Sequence, residues 1–305
     1  MLMLLVLVAC GQGEDVYTNI DNQPVATETE VDETSDELTD DSKVVEDPTD
    51  SAPSMTTHAD DAFDALSVQL NELVAKADGT VGISFYNLTT RQQLFVGGDH
   101  LFFGASTAKM FTHLYIADLV AEGELSWEQT VTYHQDEHFE GGTGVLQNRI
   151  AEGEELPIAD LLRYSIRYSD NIAHNMLSSL IAPTRQERRD IVFARYLSGH
   201  QIEGNYLTAN HLAQGLKLID AQKEGHYAQI YEQMRETIFR DRLNTGPATG
   251  EVAHIIGTNE AFVHDAGIFR SGSTSYILVV MTEGVSEPNM FISDVSRLVW
   301  SLMDE

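Results

Sequence analysis

Strand-like runs occur in two groups that stand far apart in the chain, and this constrains the fold more than any other feature. Val81 to Tyr86 and Gln93 to Val96 form the first group, joined by the polar turn Thr89-Thr90-Arg91 as a hairpin. Glu251 to Gly257, Phe262 to Phe269 and Ser275 to Thr282 form the second, with tight connections. Between them, residues 125–245 read as helical around Leu161, Ile172, Arg188, Leu212 and Tyr231, with Gly, Pro or polar breaks. Helices also flank the strands. Phe63, Leu66, Leu70 and Leu73 recur at helical spacing until Asp78-Gly79, and Val295, Leu298, Val299 and Leu302 do so at the other end. A half-buried strand needs a partner, so the two groups must meet. The expectation is an α/β (α+β) fold: one five-stranded antiparallel sheet flanked by the terminal helices, plus an all-helical subdomain.

The N-terminal sixth follows different rules. The chain of 305 residues carries a net charge of -30. Residues 11–61 hold 16 Asp or Glu against one Lys, and few large apolar groups. Such a stretch cannot bury enough surface to offset ordering entropy. Residues 10–59 are therefore expected to be a disordered acidic tether, with residues 60–305 as the folded domain. The charge argues against nucleic acid as a partner. Ahead of the tether, residues 1–9 form a short apolar run that ends in Leu7-Val8-Ala9 before Cys10, the one cysteine of the chain. That pattern resembles a bacterial lipoprotein signal peptide, which places a lipid on Cys10. The expected location is extracytoplasmic, anchored to the bacterial cell membrane through that lipid, although Met1-Leu2-Met3 lacks the usual basic residue.

Two short motifs could carry chemistry. Ser106-Thr107-Ala108-Lys109 opens a helix predicted over Ser106 to Glu122, with Met110, Leu114, Ala117 and Val120 on one stripe and Gly123 past its end. A Ser and a Lys three residues apart share a helix face. At a helix N-terminus free N–H groups favour a developing oxyanion, and a Lys shielded from water tends toward its neutral, basic form. Alone, the pattern equally suits an N-cap serine beside a surface lysine. Ser169-Asp170-Asn171 follows a helical run and precedes another, which by itself reads as a cap.

Taken in order, with Gly257 on the third strand, these motifs make the chain similar to the serine β-lactamase and penicillin-binding-protein superfamily, most closely class A β-lactamase-like serine hydrolases. Gly141 to Leu146 and Val263 to Ile268 resemble stretches of the same family. The resemblance covers nearly all of residues 62–305 and implies a β-lactamase-like fold. It implies Ser106 as nucleophile, Lys109 as general base and Ser169 as proton relay. Asn171 would bind the acyl amide, and the N–H groups of Ser106 and of Thr258, after Gly257, would form the oxyanion hole. The implied substrates are β-lactams or peptidoglycan-like amides, with no cofactor or metal, and the domain is expected to be a monomer.

The sequence departs from the family in two places. The family carries Lys-Thr-Gly where this chain has Ile255-Ile256-Gly257. If Ile255 faces the cleft, a substrate carboxylate meets hydrocarbon; Arg270 is the first candidate to supply a substitute charge, and His254 a weaker one. The family's Glu-x-x-Asn deacylation motif is also missing from His200 to Asn210, where Glu203 is the one carboxylate. Slow deacylation is the consequence. The rival expectation is a non-catalytic or penicillin-binding cell-wall lipoprotein that keeps the cleft. Other patterns carry less. His134-Gln135-Asp136-Glu137-His138 matches a zinc-peptidase pattern but sits between strand and loop; His254, His264 and Asp265 read as hydrogen-bonded structural residues; the glycines at 141–144 read as a turn.

Overall fold

The computed structural model describes residues 55–197, 204–246, 251–271 and 274–303. Cys10, the acidic stretch up to residue 54 and Glu203 lie outside the described residues. The first helix, α1 (Met55–Val74), begins five residues before the expected domain start. It leads into the hairpin β1 (Thr80–Asn87) and β2 (Gln93–Val96). A two-residue strand, β3 (Phe102–Phe103), precedes the 3-10 turn Ala105–Ala108 and α2 (Lys109–Ala121).

The helical subdomain comes next. A small ribbon of β4 (Thr130–Thr132) and β5 (Glu155–Pro157) brackets the one-turn helix α3 (Gln135–His138). Then come α4 (Ile158–Arg167), α5 (Asn171–Ser179) and α6 (Arg185–Tyr196). Strand β6 (Tyr206–Leu207) pairs with β3, and α7 (Ala209–Ala221) and α8 (Ala228–Arg235) complete the block. The chain returns as β7 (Glu251–Asn259), β8 (Phe262–Ser271) and β9 (Thr274–Glu283), and closes on α9 (Pro288–Met303).

The five long strands form one antiparallel sheet in the order β2-β1-β9-β8-β7, so the two distant strand groups do meet, at β1 against β9. Both faces are buried, and side-chain alternation in β9 shows how. Tyr276, Leu278 and Val280 enter the core shared with α1 and α9, while Ile277, Val279 and Met281 enter the core shared with the helical subdomain. On the first face Leu66, Leu70, Val295 and Val299 are almost fully buried. Each such side chain contributes about 1.5–3 kcal/mol relative to exposure.

The expected single stripe on α2 is too narrow. Phe111 and Ile116 are as buried as Met110 and Leu114, because α5, α6 and α7 all pack on this helix. A helix apolar on most sides is a central helix. Asp118 fixes its far end, accepting hydrogen bonds from Tyr196 Oη at 2.6 Å and Tyr227 Oη at 2.7 Å and pairing with Arg195 at 2.9 Å. The lysine at its near end is thereby held in a rigid element.

Candidate active site

Ser106 sits in the 3-10 turn rather than in the α-helix itself. The turn is tight for a stated reason. Ala105 has a φ of 46°, a left-handed conformation that costs a non-glycine residue about 1–2 kcal/mol. Asn205 holds it there: its amide donates to Ala105 O at 3.2 Å, and Gly104 N donates to Asn205 O at 2.6 Å. Such strain persists only where the surroundings enforce it. Gly257 packs directly behind the turn. A Cβ there would lie 3.0 Å from Gly104 O and 3.1 Å from Thr107 N, so only glycine allows β7 to approach this closely. Gly257→Ala should therefore shift the turn at residues 105–108 by a few tenths of an ångström.

Lys109 begins α2, is 8% exposed, and donates to Asn171 Oδ1 at 2.7 Å and Ser169 O at 2.8 Å. Burial lowers its pKa from 10.5 to about 8, with the Asp170 and Glu140 carboxylates opposing the shift. At neutral pH about a tenth of the molecules thus carry a neutral amine here. His174 and His113 lie beyond it and stay uncharged. Burial holds His174 well below its usual value and takes His113, bonded to Ser165 Oγ, to about 3.

The tripeptide 169–171 joins the lysine to the opposite loop. Ser169 has a φ of 52° and turns the chain between α4 and α5. It is 5% exposed and presents its carbonyl to Lys109 rather than standing on the cavity wall. Asp170 is the N-cap of α5, accepting from Ala173 N at 2.9 Å; its other oxygen accepts from Val145 N at 2.7 Å and Leu146 N at 2.8 Å. Asn171 donates to Gly141 O at 3.0 Å. Gly144 fits against Asp170 only because it has no side chain: its φ is 119° and a Cβ would sit 2.3 Å from Asp170 Oδ2.

A cavity of about 350 Å³ opens over these groups. Ser106, Lys109, Asn171 and Thr258 line it, as do Glu140 and Arg185, Arg188 and Arg189 of α6. Of the residues singled out from the sequence, four thus line the cavity, Gly257 lies behind the turn that carries Ser106, and Ser169 lies beneath Lys109.

The condition that Ile255 on β7 faces the cleft is not met, and the substitute charge expected of Arg270 on β8 needs correction. Ile255 is 5% exposed and its side chain ends in the core between sheet and helical subdomain, with Ala253 and Ala266, not on the cleft wall. Isoleucine is too short to reach the cleft from this face. Arg270 does not supply a replacement charge, because it pairs with Asp220. The cation near the β7 edge is Arg242, which sequence reasoning missed. Its guanidinium donates to Thr258 Oγ1 at 2.7 Å, Gly257 O at 3.1 Å and His264 O at 2.7 Å. The one sequence sign was the pair of cations in Arg240-Asp241-Arg242 within an acidic chain. Glu140 and Asn205 were missed too, since neither belongs to a motif.

The demoted histidines make structural bonds. His254 Nδ1 lies 3.0 Å from both oxygens of buried Asp265, and His264 Nε2 bonds Phe103 O at 2.8 Å. His134 pairs with Glu152 at 2.9 Å, and the pattern around it forms the turn α3 rather than a loop. Gly142 and Gly144 have the positive φ of a turn.

The family model described as the β-lactamase enzyme family matches residues 65–303. The chain belongs to that family. It is thereby a β-lactamase-like serine hydrolase of the class A type. It is 24% identical over 270 residues to β-lactamase VEB-1 of Pseudomonas aeruginosa, covering 78% of this chain and 90% of that enzyme. Among solved structures, a mutant of PBP-A captured as an acyl-enzyme complex with penicillin G superposes with a TM-score of 0.72 at 22% identity, covering 79% of this chain and 97% of that one. An ancestral class A β-lactamase gives 0.69 at 20% identity, covering 77% and 99%. At such identities these structures establish the shared fold.

Proposed function

We propose that this β-lactamase-like hydrolase acylates on Ser106 with a β-lactam or a related peptidoglycan-like amide and releases the acyl group slowly. The observation that carries the proposal is Lys109: a buried amine with its pKa brought down to about 8, one helical turn from Ser106 on the same cavity wall. Neutral Lys109 takes the Ser106 proton as Oγ attacks the carbonyl carbon. The N–H groups of Ser106 and Thr258 receive the oxyanion. Asn171 binds the acyl amide, and Lys109 passes the proton on to the leaving nitrogen, with Ser169 positioning that amine through its carbonyl. No metal or organic cofactor enters this scheme.

Slow release follows from what surrounds the acyl group. The one carboxylate on the described wall, Glu140, is already engaged by Arg185 at 2.7 Å and Asn175 at 3.2 Å. Among the described residues no unengaged carboxylate lines the cavity, and lack of a general base costs about 10²–10⁴ in rate. With a chromogenic cephalosporin, the chain should therefore give a burst of one equivalent, then turnover slower by about that factor. A linear trace with fast turnover would refute slow release. No burst and no adduct would favour a non-catalytic, cell-wall-binding lipoprotein with the same cleft.

The proposed setting is extracytoplasmic, with a lipid on Cys10 holding a monomeric domain at the bacterial membrane. Labelled fatty acid should enter the chain in cells and be lost in Cys10→Ala; equal labelling of both would contradict the anchor.

A further inference from the structure

The cavity wall is basic in an acidic protein. Residues 62–305 carry a net charge of -15. Yet the cavity is lined by Lys109, Arg185, Arg188 and Arg189 against a single acid, Glu140. A concave site with charge opposite to the rest of the molecule concentrates ligands of the other sign.

The three α6 arginines on the cavity wall are not equivalent. Arg185 donates to Glu140 Oε2 at 2.7 Å, which settles both charges. Arg188 is 8% exposed and spent on structure: it donates to Ala182 O at 2.6 Å, Pro183 O at 2.9 Å and Ser178 Oγ at 3.4 Å. Arg189 is half-buried and makes no ion pair or hydrogen bond among the described residues. A guanidinium stays charged at every working pH and presents a fork that fits a carboxylate. Glu140 is paired with Arg185, four residues before Arg189 on α6, and not with Arg189 itself.

This arrangement sets the cation apart from its family position. Ile255 leaves none on β7, and Arg242 is committed to four acceptors, Gly257 O, Thr258 Oγ1, His264 O and Asn289 Oδ1. We propose that Arg189 binds a carboxylate carried on the acyl half of the substrate, so that the preferred acyl donor is an amide or β-lactam with an anionic acyl side chain. This rests on the proposed acylation of Ser106 and names the substrate class of that same site.

The test uses the full chain and two penicillins that differ by one carboxylate: benzylpenicillin and its α-carboxyl analogue, carbenicillin. Acylation rate constants come from intact-mass time courses. The carbenicillin-to-benzylpenicillin ratio should fall about tenfold in Arg189→Gln, the worth of one charge-assisted pair. Arg189→Lys should recover most of it, which a merely structural role would not produce. A second measurement is independent of acylation. In Ser106→Ala, calorimetry should show carbenicillin binding tighter than benzylpenicillin, and Arg189→Gln in that background should erase the difference. Equal ratios in wild type and Arg189→Gln, with equal affinities in the Ser106→Ala background, would overturn the assignment. Absence of any Ser106 adduct alongside an Arg189-dependent affinity difference would instead overturn the acylation proposal and leave the subsite standing.

Discussion

Lys109→Met should lower the rate constant for Ser106 acylation by about a thousandfold, the middle of the range for loss of a positioned general base. The variant should still fold, because methionine fills the same buried volume without a charge to desolvate. In the wild type the acylation rate should rise with pH through about 8, where Lys109 loses its proton, and level off above it. The sign follows from the role: only the neutral amine accepts the Ser106 proton. Stability should follow the same group. Between about 8 and 10.5 the unfolded chain holds the lysine proton and the folded chain does not. Stability therefore gains as pH rises across that window, and Lys109→Met should lose this gain. An acylation rate that stays flat from about pH 6.5 to about 9.5, across the Lys109 pKa of about 8, would remove Lys109 from the role of base.

The second large effect is structural. Asp170→Ala should lower the stability of the domain by about 3–6 kcal/mol, since three N–H groups of Ala173, Val145 and Leu146 lose their acceptor at once. For a domain of this size that is a fall of about 10 °C or more in melting temperature. The same change frees the loop at Gly141–Leu146 and the start of α5, and with them Asn171. Acylation should therefore fail even below the melting point. Asp170→Asn keeps an acceptor for one side of the network and should lie between. A melting temperature for Asp170→Ala within 2–3 °C of wild type, about 1 kcal/mol, would show that the carboxylate is not the tie described.

Much of this was legible in the sequence, for identifiable reasons. The unbroken apolar run of residues 276–281 reads as a strand and the helical spacing of Leu66 and Leu70 marks one helix face; the structure forms both and buries them. The two strand groups had to pair, and β1 and β9 do. The four groups on the cavity wall were found because their spacing in chain and element survives as motifs. What spacing could not show was direction. Ile255 looked like a cleft residue because it occupies the motif position, but a short apolar side chain there ends in the core. Arg270 looked available because its partner Asp220 lies fifty residues away in sequence. Arg242, Glu140 and Arg189 reach the site from three separate loops and helices, and single-chain periodicity carries no signal for that kind of convergence. Asp170 looked like an ordinary cap; its second oxygen, bonded across to Val145 and Leu146, is a tertiary feature.

The most direct test of the whole account is intact-mass spectrometry of the chain after incubation with benzylpenicillin. The account predicts a covalent adduct of one intact penicillin per chain, located by peptide mapping on Ser106 and absent from Ser106→Ala. An unmodified mass in the wild type, or an adduct that persists in Ser106→Ala, would contradict it.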